Sequence, residues 1–239
     1  MRILVIQHDD DSDLGTLGEP LIAAGAEIEA WTAHRKAAPN RPIADYDGVI
    51  VLGGIVNPDQ DDEHAWLATE RFAMETALGE AIPLLGVCLG GQLLAQTAGG
   101  TAGKSPVPEV GWFEVESTPA LRADRLFGGF PDRFTAFEWH HYRFELPPGS
   151  VLLARNGNAN QAFRVGENAW GIQFHIEASG RIVREWLEVG GDDARSVGID
   201  PADIDRATNL HDDAQIALCR QLGERFADVV AANLRQEVA

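Results

Sequence analysis

Residues 83–95, PLLGVCLGGQLLA, restrict the fold of this chain more than any other segment. They begin with a short apolar run typical of a strand buried on both faces, and they end with residues that favour a helix. Between the two stands Cys88, with Gly86 before it and Gly90 after it. Such a turn projects its central side chain from the carboxyl edge of a parallel sheet, and its crowded backbone requires glycines. The segment therefore predicts an α/β fold with a candidate nucleophile at Cys88.

The position of Cys88 also predicts reactivity. Because the helix is expected to begin at Leu89, its free N–H groups point at the sulfur and favour the thiolate over the thiol. The alternative is that Cys88 is only a small buried apolar residue, which is a common role for a free cysteine. The flanking glycines favour the nucleophile.

Short apolar runs alternate with segments of helical periodicity, a pattern typical of a parallel sheet with crossover helices. Strands are predicted at residues 3–7, 28–32, 48–52 and 83–87, and helices at 14–24, 62–79 and 89–98. Further strands are predicted at 111–117, 134–139, 150–154, 161–164 and 169–174, some of them antiparallel. The expected fold class is α/β, with a mostly parallel, doubly wound sheet and helices on both faces.

The character of the chain changes near residue 190. Residues 190–203, GGDDARSVGIDPAD, are predicted to form a polar connection, and residues 211–234 have a helical apolar periodicity. We therefore expect a main domain at residues 1–190 and a C-terminal helical extension at 191–239 that packs on it.

Composition excludes several classes of function. The formal net charge is −18 and the only lysines are Lys36 and Lys104, so we expect no nucleic-acid binding. No apolar stretch is long enough to span a bilayer, and the N-terminal apolar run is too short for a signal peptide. We therefore expect a cytoplasmic protein with no membrane contact. With two cysteines, no disulfide is expected.

The acidic run at residues 8–11, HDDD, raises the question of a metal site. Neither this run nor His64 has the ligand spacing of a known motif such as an EF-hand loop. A solvated loop is the favoured interpretation, and we expect neither a metal nor a cofactor.

Residues 170–177, WGIQFHIE, predict a strand that ends in a histidine and a glutamate. A period of two places His175 and Glu177 on one face, where the carboxylate can orient the imidazole. Alone, such a pair is more often a strand-end histidine beside a solvated glutamate. Together with Cys88 it completes a candidate catalytic triad.

Residues 49–54, VIVLGG, predict a buried strand followed by two glycines. Backbone N–H groups in this turn, together with the amide of Leu89, are candidates for an oxyanion hole opposite Cys88. The alternative is a tight turn without further function.

In this order, the LGG turn, the GVCLGGQ turn and the QFHIE segment resemble class I glutamine amidotransferases, and most closely the free-standing proteins similar to the amidotransferase domain of GMP synthetase. The resemblance extends from Arg2 to about Trp186. It includes the segments QH at 7–8, EVGW at 109–112, WH at 139–140 and LPPG at 146–149. It implies a flavodoxin-like fold and assigns residues 1–190 to the amidotransferase domain.

The resemblance also implies roles for individual residues. Cys88 attacks the γ-carbonyl group of a glutamyl amide, His175 serves as base and then acid, and Glu177 orients His175. The amides of Gly54 and Leu89 form the oxyanion hole. The remaining candidates hold the substrate, and they are Gln92, Gly111, Trp112, Trp139 and His140.

The chain departs from the family pattern around the expected pocket. Gly91 replaces a histidine or methionine, Ile55 and Val56 replace a proline–methionine pair, and Ile176 replaces a proline. His141 and Tyr142 replace a glycine and an aspartate. We expect the small side chain at residue 91 to open space for a leaving amine larger than ammonia.

Three functions are compatible with these residues. The first is a glutaminase that releases ammonia and glutamate and either supplies a separate synthetase or acceptor protein or acts alone. The second is a γ-glutamyl peptidase, which uses the same thioester on a peptide or conjugate. The third is a non-catalytic binding or regulatory module, since one fold serves many functions. The intact triad favours an enzyme.

Overall fold

The computed structural model describes residues 1–9 and 13–237. Within them the strands are β1 Arg2–Gln7, β2 Glu27–Thr32, β3 Gly48–Val51, β4 Leu84–Val87, β5 Thr101–Ser117, β6 Arg133–Glu145, β7 Val151–Arg155, β8 Asn160–Val165 and β9 Ala169–Ile172. The α-helices are α1 Gly18–Ala23, α2 Trp66–Gly79, α3 Leu89–Thr97, α4 Gly180–Ser196 and α5 Pro201–Glu237.

These strands form one sheet in the order β2-β1-β3-β4-β9-β8-β7-β5-β6. The strands from β2 to β9 in this order run parallel. The other four extend the sheet by antiparallel pairing. The predicted α/β class with helices on both faces is confirmed, and the sheet is mixed because its second half is antiparallel.

Helices cover both faces of the parallel strands, which explains why β3 and β4 are buried at every position. Val5 faces a core that includes Phe226 of α5. Leu4 faces the opposite core, which includes Met74 of α2 and Leu93 of α3. In the described part of the chain, none of the helices has both the length and the apolar character needed to cross a bilayer.

The antiparallel strands β5 and β6 are longer than predicted. They pair from Thr101 with Glu145 to Glu116 with Arg133, with a register shift between Lys104 and Glu109. Their charged residues and the prolines of β5 interrupt the apolar pattern. The sequence pattern therefore indicated only the more apolar part of each strand.

The C-terminal region is more helical than predicted. Helix α4 includes Gly190 and Gly191, which the sequence places in a polar connection, and α5 begins at Pro201. Gly190 lies against the indole ring of Trp139, so this glycine permits close packing rather than a turn. Helix α4 continues across residue 190 without a break. The division into residues 1–190 and 191–239 stays a proposal.

Candidate active site

Four neighbouring parallel strands end at one edge of the sheet, and polar residues or glycines follow each of them. In the order β1-β3-β4-β9 the strands lead into His8, Gly53, Cys88 and His175. In open α/β sheets, ligands bind outside the carboxyl ends of the strands. The topology therefore brings residues that are distant in sequence to one site.

Cys88 occupies a strained turn between β4 and α3. Its φ of 50° and ψ of −106° are uncommon for a residue other than glycine. A side chain at Gly86 would collide with the backbone of Gly90, and a side chain at Gly90 would collide with the backbone of Val51. Because α3 begins at Leu89, the predicted strand, turn and helix are confirmed.

His175 and Glu177 form a buried pair. The Nδ1 atom of His175 lies 2.7 Å from Oε1 of Glu177, and both residues are buried. Strand β9 ends at Ile172, so the pair lies in the bend and turn that follow the strand, and not on the strand as predicted. The turn is held to the sheet because the His175 backbone N–H donates to the carbonyl oxygen of Phe137.

The neighbours of His175 determine its charge. Burial lowers the pKa of an imidazole, but the negative charges of Cys88 and Glu177 and the hydrogen bonds to both residues outweigh this effect. The pKa of His175 is therefore raised well above its ordinary value. A cysteine beside an imidazolium of this kind is suited to nucleophilic attack followed by proton return.

A second buried histidine–carboxylate pair supports the glycine turn after β3. The Nε2 atom of His8 lies 2.8 Å from Oε2 of Glu70 on α2, and its Nδ1 atom lies 2.8 Å from the carbonyl oxygen of Gly53. Burial lowers the pKa of His8, but Glu70 and the Gly53 carbonyl outweigh it and the net shift is upward. A Cβ atom at Gly54 would lie 2.6 Å from the Cβ atom of His8. The sequence draws attention to His8 only within the HDDD run and the QH segment, and it does not predict the pairing of His8 with Glu70.

A cavity of about 490 Å³ opens beside Cys88, His175 and Glu177. Its walls also include most of the other predicted site residues, which are Gly54, Leu89, Gln92, Trp139 and His140. The predicted residues Gly111 and Trp112 are not part of these walls.

Gly111 and Trp112 face α5. The Trp112 Nε1–H group donates to the hydroxyl oxygen of Thr208 at 2.9 Å, and its ring packs against Phe137. Gly111 has a φ of 117° and lies near the side chain of Ile204. A role for these two residues in substrate binding stays a prediction without a contact to the cavity.

His140 lies between two buried carboxylates. Its Nε2 atom is 3.3 Å from Oε2 of Glu109 and 3.2 Å from Oε2 of Glu138. Both contacts are within ion-pair distance. Neither has the geometry of a hydrogen bond, so Nε2 of His140 has no hydrogen-bond partner among the described residues. Nδ1 of His140 lies 2.9 Å from the carbonyl oxygen of Tyr142. The three side chains also offer one ligand atom each, all within 4.8 Å of one another, so the cluster has the donor set of a metal site.

Burial and ion pairing act against each other in this cluster. Burial disfavours the imidazolium of His140, but Glu109 and Glu138 outweigh it and raise its pKa to about 10. Burial raises the pKa of Glu138 to about 7, and His140 offsets only part of this shift. The pKa of Glu109 is lowered, because its ion pair with His140 and the hydrogen bonds that it accepts from Asn158 and Asn156 outweigh its burial.

The departures from the family pattern affect the cavity unequally. The expectation that Gly91 opens space is wrong, because a Cβ atom there would lie 2.5 Å from the backbone oxygen of Ile172. Gly91 instead permits α3 to approach β9 closely. Ile55, His141 and Tyr142 do line the cavity, as does Val56.

His141 and Tyr142 connect the cavity wall to other elements. Nε2 of His141 lies 3.0 Å from the carboxylate of Asp193 on α4, and the Tyr142 hydroxyl donates to Asp59 at 3.3 Å. In the acidic run after β1, Asp9 accepts a bond from the Ile55 backbone N–H. Asp10 and Asp11 of that run lie outside the described residues.

A family model described as "Glutamine amidotransferase class-I" matches residues 15–187. A "GMP synthase [glutamine-hydrolyzing]" of Thermomicrobium roseum is 33% identical over 154 residues, which cover 62% of this chain and 25% of that protein. An "Imidazole glycerol phosphate synthase subunit HisH" of Yersinia pseudotuberculosis is 26% identical over 173 residues, which cover 62% of this chain and 87% of that protein. This chain thus spans about a quarter of the first relative's length.

A solved structure of a glutamine amidotransferase from Thermotoga maritima has the same fold. It superposes with a TM-score of 0.87 at 29% sequence identity. The match covers 95% of this chain and 98% of that chain, so it includes the C-terminal helices as well as the sheet.

Proposed function

Because the chain belongs to the class I glutamine amidotransferase family, we propose that it cleaves the γ-amide of glutamine through a thioester on Cys88 and releases ammonia and glutamate. The observation that carries this proposal is the convergence of Cys88, His175 and Glu177 on one cavity at the carboxyl edge of the sheet. Glutamine amide processing is the general chemistry of the family, and the use of a cysteine thioester is our inference from the site.

The first half of the reaction forms the thioester. The Cys88 thiolate attacks the γ-carbonyl carbon, a C–S bond forms, and the carbonyl electron pair moves to the oxygen. His175, as the imidazolium, gives its proton to the amide nitrogen while the C–N bond breaks and ammonia leaves. Glu177 holds the imidazole in the tautomer that this transfer requires.

The second half returns the enzyme to its starting state. Neutral His175 takes a proton from water while the water oxygen attacks the thioester carbonyl. The C–S bond then breaks, sulfur leaves as the thiolate, and the γ-carboxyl group of glutamate is released. In both halves the N–H groups of Gly54 and Leu89, which border the cavity with Cys88, are proposed to stabilise the oxyanion.

The charges around the cavity favour recognition of an α-amino group. Asp9, Asp13 and Asp193 line it, and none of the described lining residues is a lysine or arginine. An ammonium group therefore finds carboxylate partners, whereas the α-carboxylate finds no lysine or arginine there and has to be held by histidine or amide N–H donors. We expect γ-glutamyl amides to react, and α-linked or N-acylated analogues to fail because site groups stay unpaired.

The proposal is tested with Cys88→Ala and a glutamine-analogue affinity reagent. We expect Cys88→Ala to lose turnover and labelling while it retains the fold, because alanine fits the turn. Cys219→Ala is the matched control, since Cys219 is the other buried thiol and lies in the core against α1 and the sheet. Retention of hydrolysis in Cys88→Ala, or labelling of Cys219, would overturn the assignment.

The size of the cavity supports a γ-glutamyl peptide or conjugate as a second candidate substrate. Its volume of about 490 Å³ lies within the range of roughly 300–1,000 Å³ that holds drug-sized ligands. Ile55 and Val189, both strongly exposed, line its outer part and offer apolar contacts to a leaving group. A much larger kcat/KM for a γ-glutamyl dipeptide than for glutamine would establish this alternative.

The partner is also a matter of proposal. The Yersinia pseudotuberculosis relative is named as one subunit of a synthase, which supports a separate synthetase or acceptor protein that uses the ammonia. Absence of turnover on glutamine and on the γ-glutamyl dipeptide, with and without cell extract, would favour a non-catalytic module instead.

A further inference from the structure

A buried glutamine contacts the sulfur of Cys88 from the side of β9. The Nε2 atom of Gln173 lies 3.8 Å from Sγ, and Gln173 is fully buried. It follows β9 directly, two residues before His175, and its backbone N–H donates to the carbonyl oxygen of Gln161 on β8. Its position next to the sulfur is therefore set by the sheet.

The hydrogen bonds around Gln173 determine which end of its amide faces the sulfur. The Nε2 atom of Gln92 lies 2.9 Å from the carbonyl oxygen of Tyr142, and this oxygen can only accept. The amide of Gln92 therefore points its NH₂ group inward, where it also donates to Oε1 of Gln173 at 3.3 Å. Since the oxygen of Gln173 is used in this way, its NH₂ group faces Cys88.

The Tyr142 carbonyl oxygen accepts a second hydrogen bond besides the one from Gln92. Nδ1 of His140 also lies 2.9 Å from the Tyr142 carbonyl oxygen. Two donors thus converge on one backbone acceptor, and both are buried. The direction of donation runs from Gln92 to Gln173 and from Gln173 to the sulfur.

We propose that Gln173 is a catalytic residue that donates a hydrogen bond to the Cys88 thiolate, and that Gln92 is a positioning residue that holds the Gln173 amide in the donating orientation. A thiolate is a better acceptor than a thiol, so the bond favours ionisation before attack. In the proposed thioester reaction the same bond also stabilises the sulfur when the C–S bond breaks and the thiolate leaves. This second role rests on the proposed function, whereas the first does not.

Alkylation of Cys88 by iodoacetamide measures the thiolate without any substrate. The variant Gln173→Met keeps the approximate size of the side chain and removes the donor. We expect the alkylation-rate profile of Gln173→Met to move up by about one pH unit, which means about tenfold slower reaction on the acidic side. The rates of the wild type and the variants should agree at alkaline pH, where the Cys88 thiol is ionised in all of them. For Gln92→Met we expect a smaller shift of the same sign.

Two further features of the chain make this test specific. Burial raises the pKa of Cys219 well above its usual range, so this thiol does not compete for the reagent, and Cys88→Ala gives the background rate. Gln221→Met is the control for substitution of a glutamine, because Gln221 is also partly buried and donates to a backbone oxygen, that of Gly128, but does not contact Cys88. His175 and His140 are the titratable groups that interact with Cys88, and both stay unchanged in all variants.

Gln173→Glu keeps the test decisive if Gln173→Met does not fold. This variant retains the shape and the acceptor for Gln92 but places a carboxylate against the sulfur, so the profile should move further than one pH unit. Profiles of the Gln173 variants that coincide with the wild-type profile, or an equal shift in Gln221→Met, would overturn the proposal. Because alkylation needs no glutamine, these outcomes do not depend on whether glutamine is the substrate.

Discussion

Two buried histidine–carboxylate pairs lie on either side of Cys88, and they differ in what the rest of each ring contacts. His175 is bonded to Glu177 at 2.7 Å and interacts with Cys88. His8 is bonded to Glu70 at 2.8 Å, and its other nitrogen bonds the Gly53 carbonyl. The same chemical pair thus contacts the proposed nucleophile in one place and supports the backbone in the other. A carboxylate partner alone does not identify a catalytic histidine.

The largest effect that separates the two pairs is expected from the histidines. His175→Ala should lower kcat/KM for glutamine by about 10³-fold or more, because the variant lacks the group that is proposed to move protons. His8→Ala should lower it far less once the rate is normalised to folded protein, since both ring nitrogens of His8 bond to Gly53 and Glu70 and we assign no proton transfer to it. Steady-state hydrolysis combined with circular dichroism measures both quantities. Equal losses in folded samples of both variants would remove the distinction.

The carboxylates provide the next comparison. Glu177→Gln should lower kcat by about 10²-fold, less than His175→Ala, because the amide preserves part of the ring geometry while it loses the charge that favours the imidazolium. The measurement is kcat at saturating substrate for the wild type and both variants. Complete loss in Glu177→Gln, equal to that in His175→Ala, would contradict a purely orienting role for Glu177.

The matched substitution in the other pair, Glu70→Gln, should affect stability more than activity. Glu70→Gln removes the charge partner of a fully buried histidine, which should lower the free energy of unfolding by about 2–3 kcal/mol. We expect the rate of the folded variant to stay within about tenfold of the wild type, because the glycine turn shifts only slightly. Urea unfolding and kinetics on the same preparation test this. A stable but inactive Glu70→Gln would place the His8 pair in the chemistry.

The two pairs also show what the sequence can predict. His175 and Glu177 are two residues apart, so a local pattern is enough to pair them, even though they meet in a turn and not on a strand. His8 and Glu70 are 62 residues apart, and only the sheet order makes them neighbours. The sequence does contain one indication that Glu70 is buried, because it lies on the same face of the helix as the apolar residues Leu67 and Met74. A carboxylate on an apolar face needs a buried partner.

The same limit explains the other differences between prediction and structure. The glycines flanking Cys88 predicted its turn because backbone crowding is a local property. The environment of Gly91 depends on the β9 backbone, and that of Trp112 depends on α5. Neither neighbour is adjacent in the chain, so a motif comparison could place these residues near the site but could not say which way they face.

His140 adds a third case, in which one histidine meets two carboxylates, and its expected effect is the smallest. The ordinary pKa of a glutamate near 4.5 is raised to about 7 at Glu138 by burial. Between these values the folded state binds a proton that the unfolded state has released, so stability falls as pH rises. The pKa of His140, raised from 6.5 to about 10, continues this fall at higher pH. We expect the wild type to lose on the order of 1–2 kcal/mol between pH 5 and pH 7.

The variant Glu138→Gln isolates the contribution of this carboxyl group. The amide has the same shape and no charge to bury, so the decline between pH 5 and pH 7 should flatten, while Glu109 still pairs with His140. Glu63→Gln is the control, because Glu63 is exposed in the segment before α2 and should leave the decline unchanged. Urea unfolding at four pH values from 5 to 8 gives the comparison. An unchanged decline in Glu138→Gln would mean that the Glu138 carboxyl group does not cause it, and the upward pKa shift of this group would be wrong.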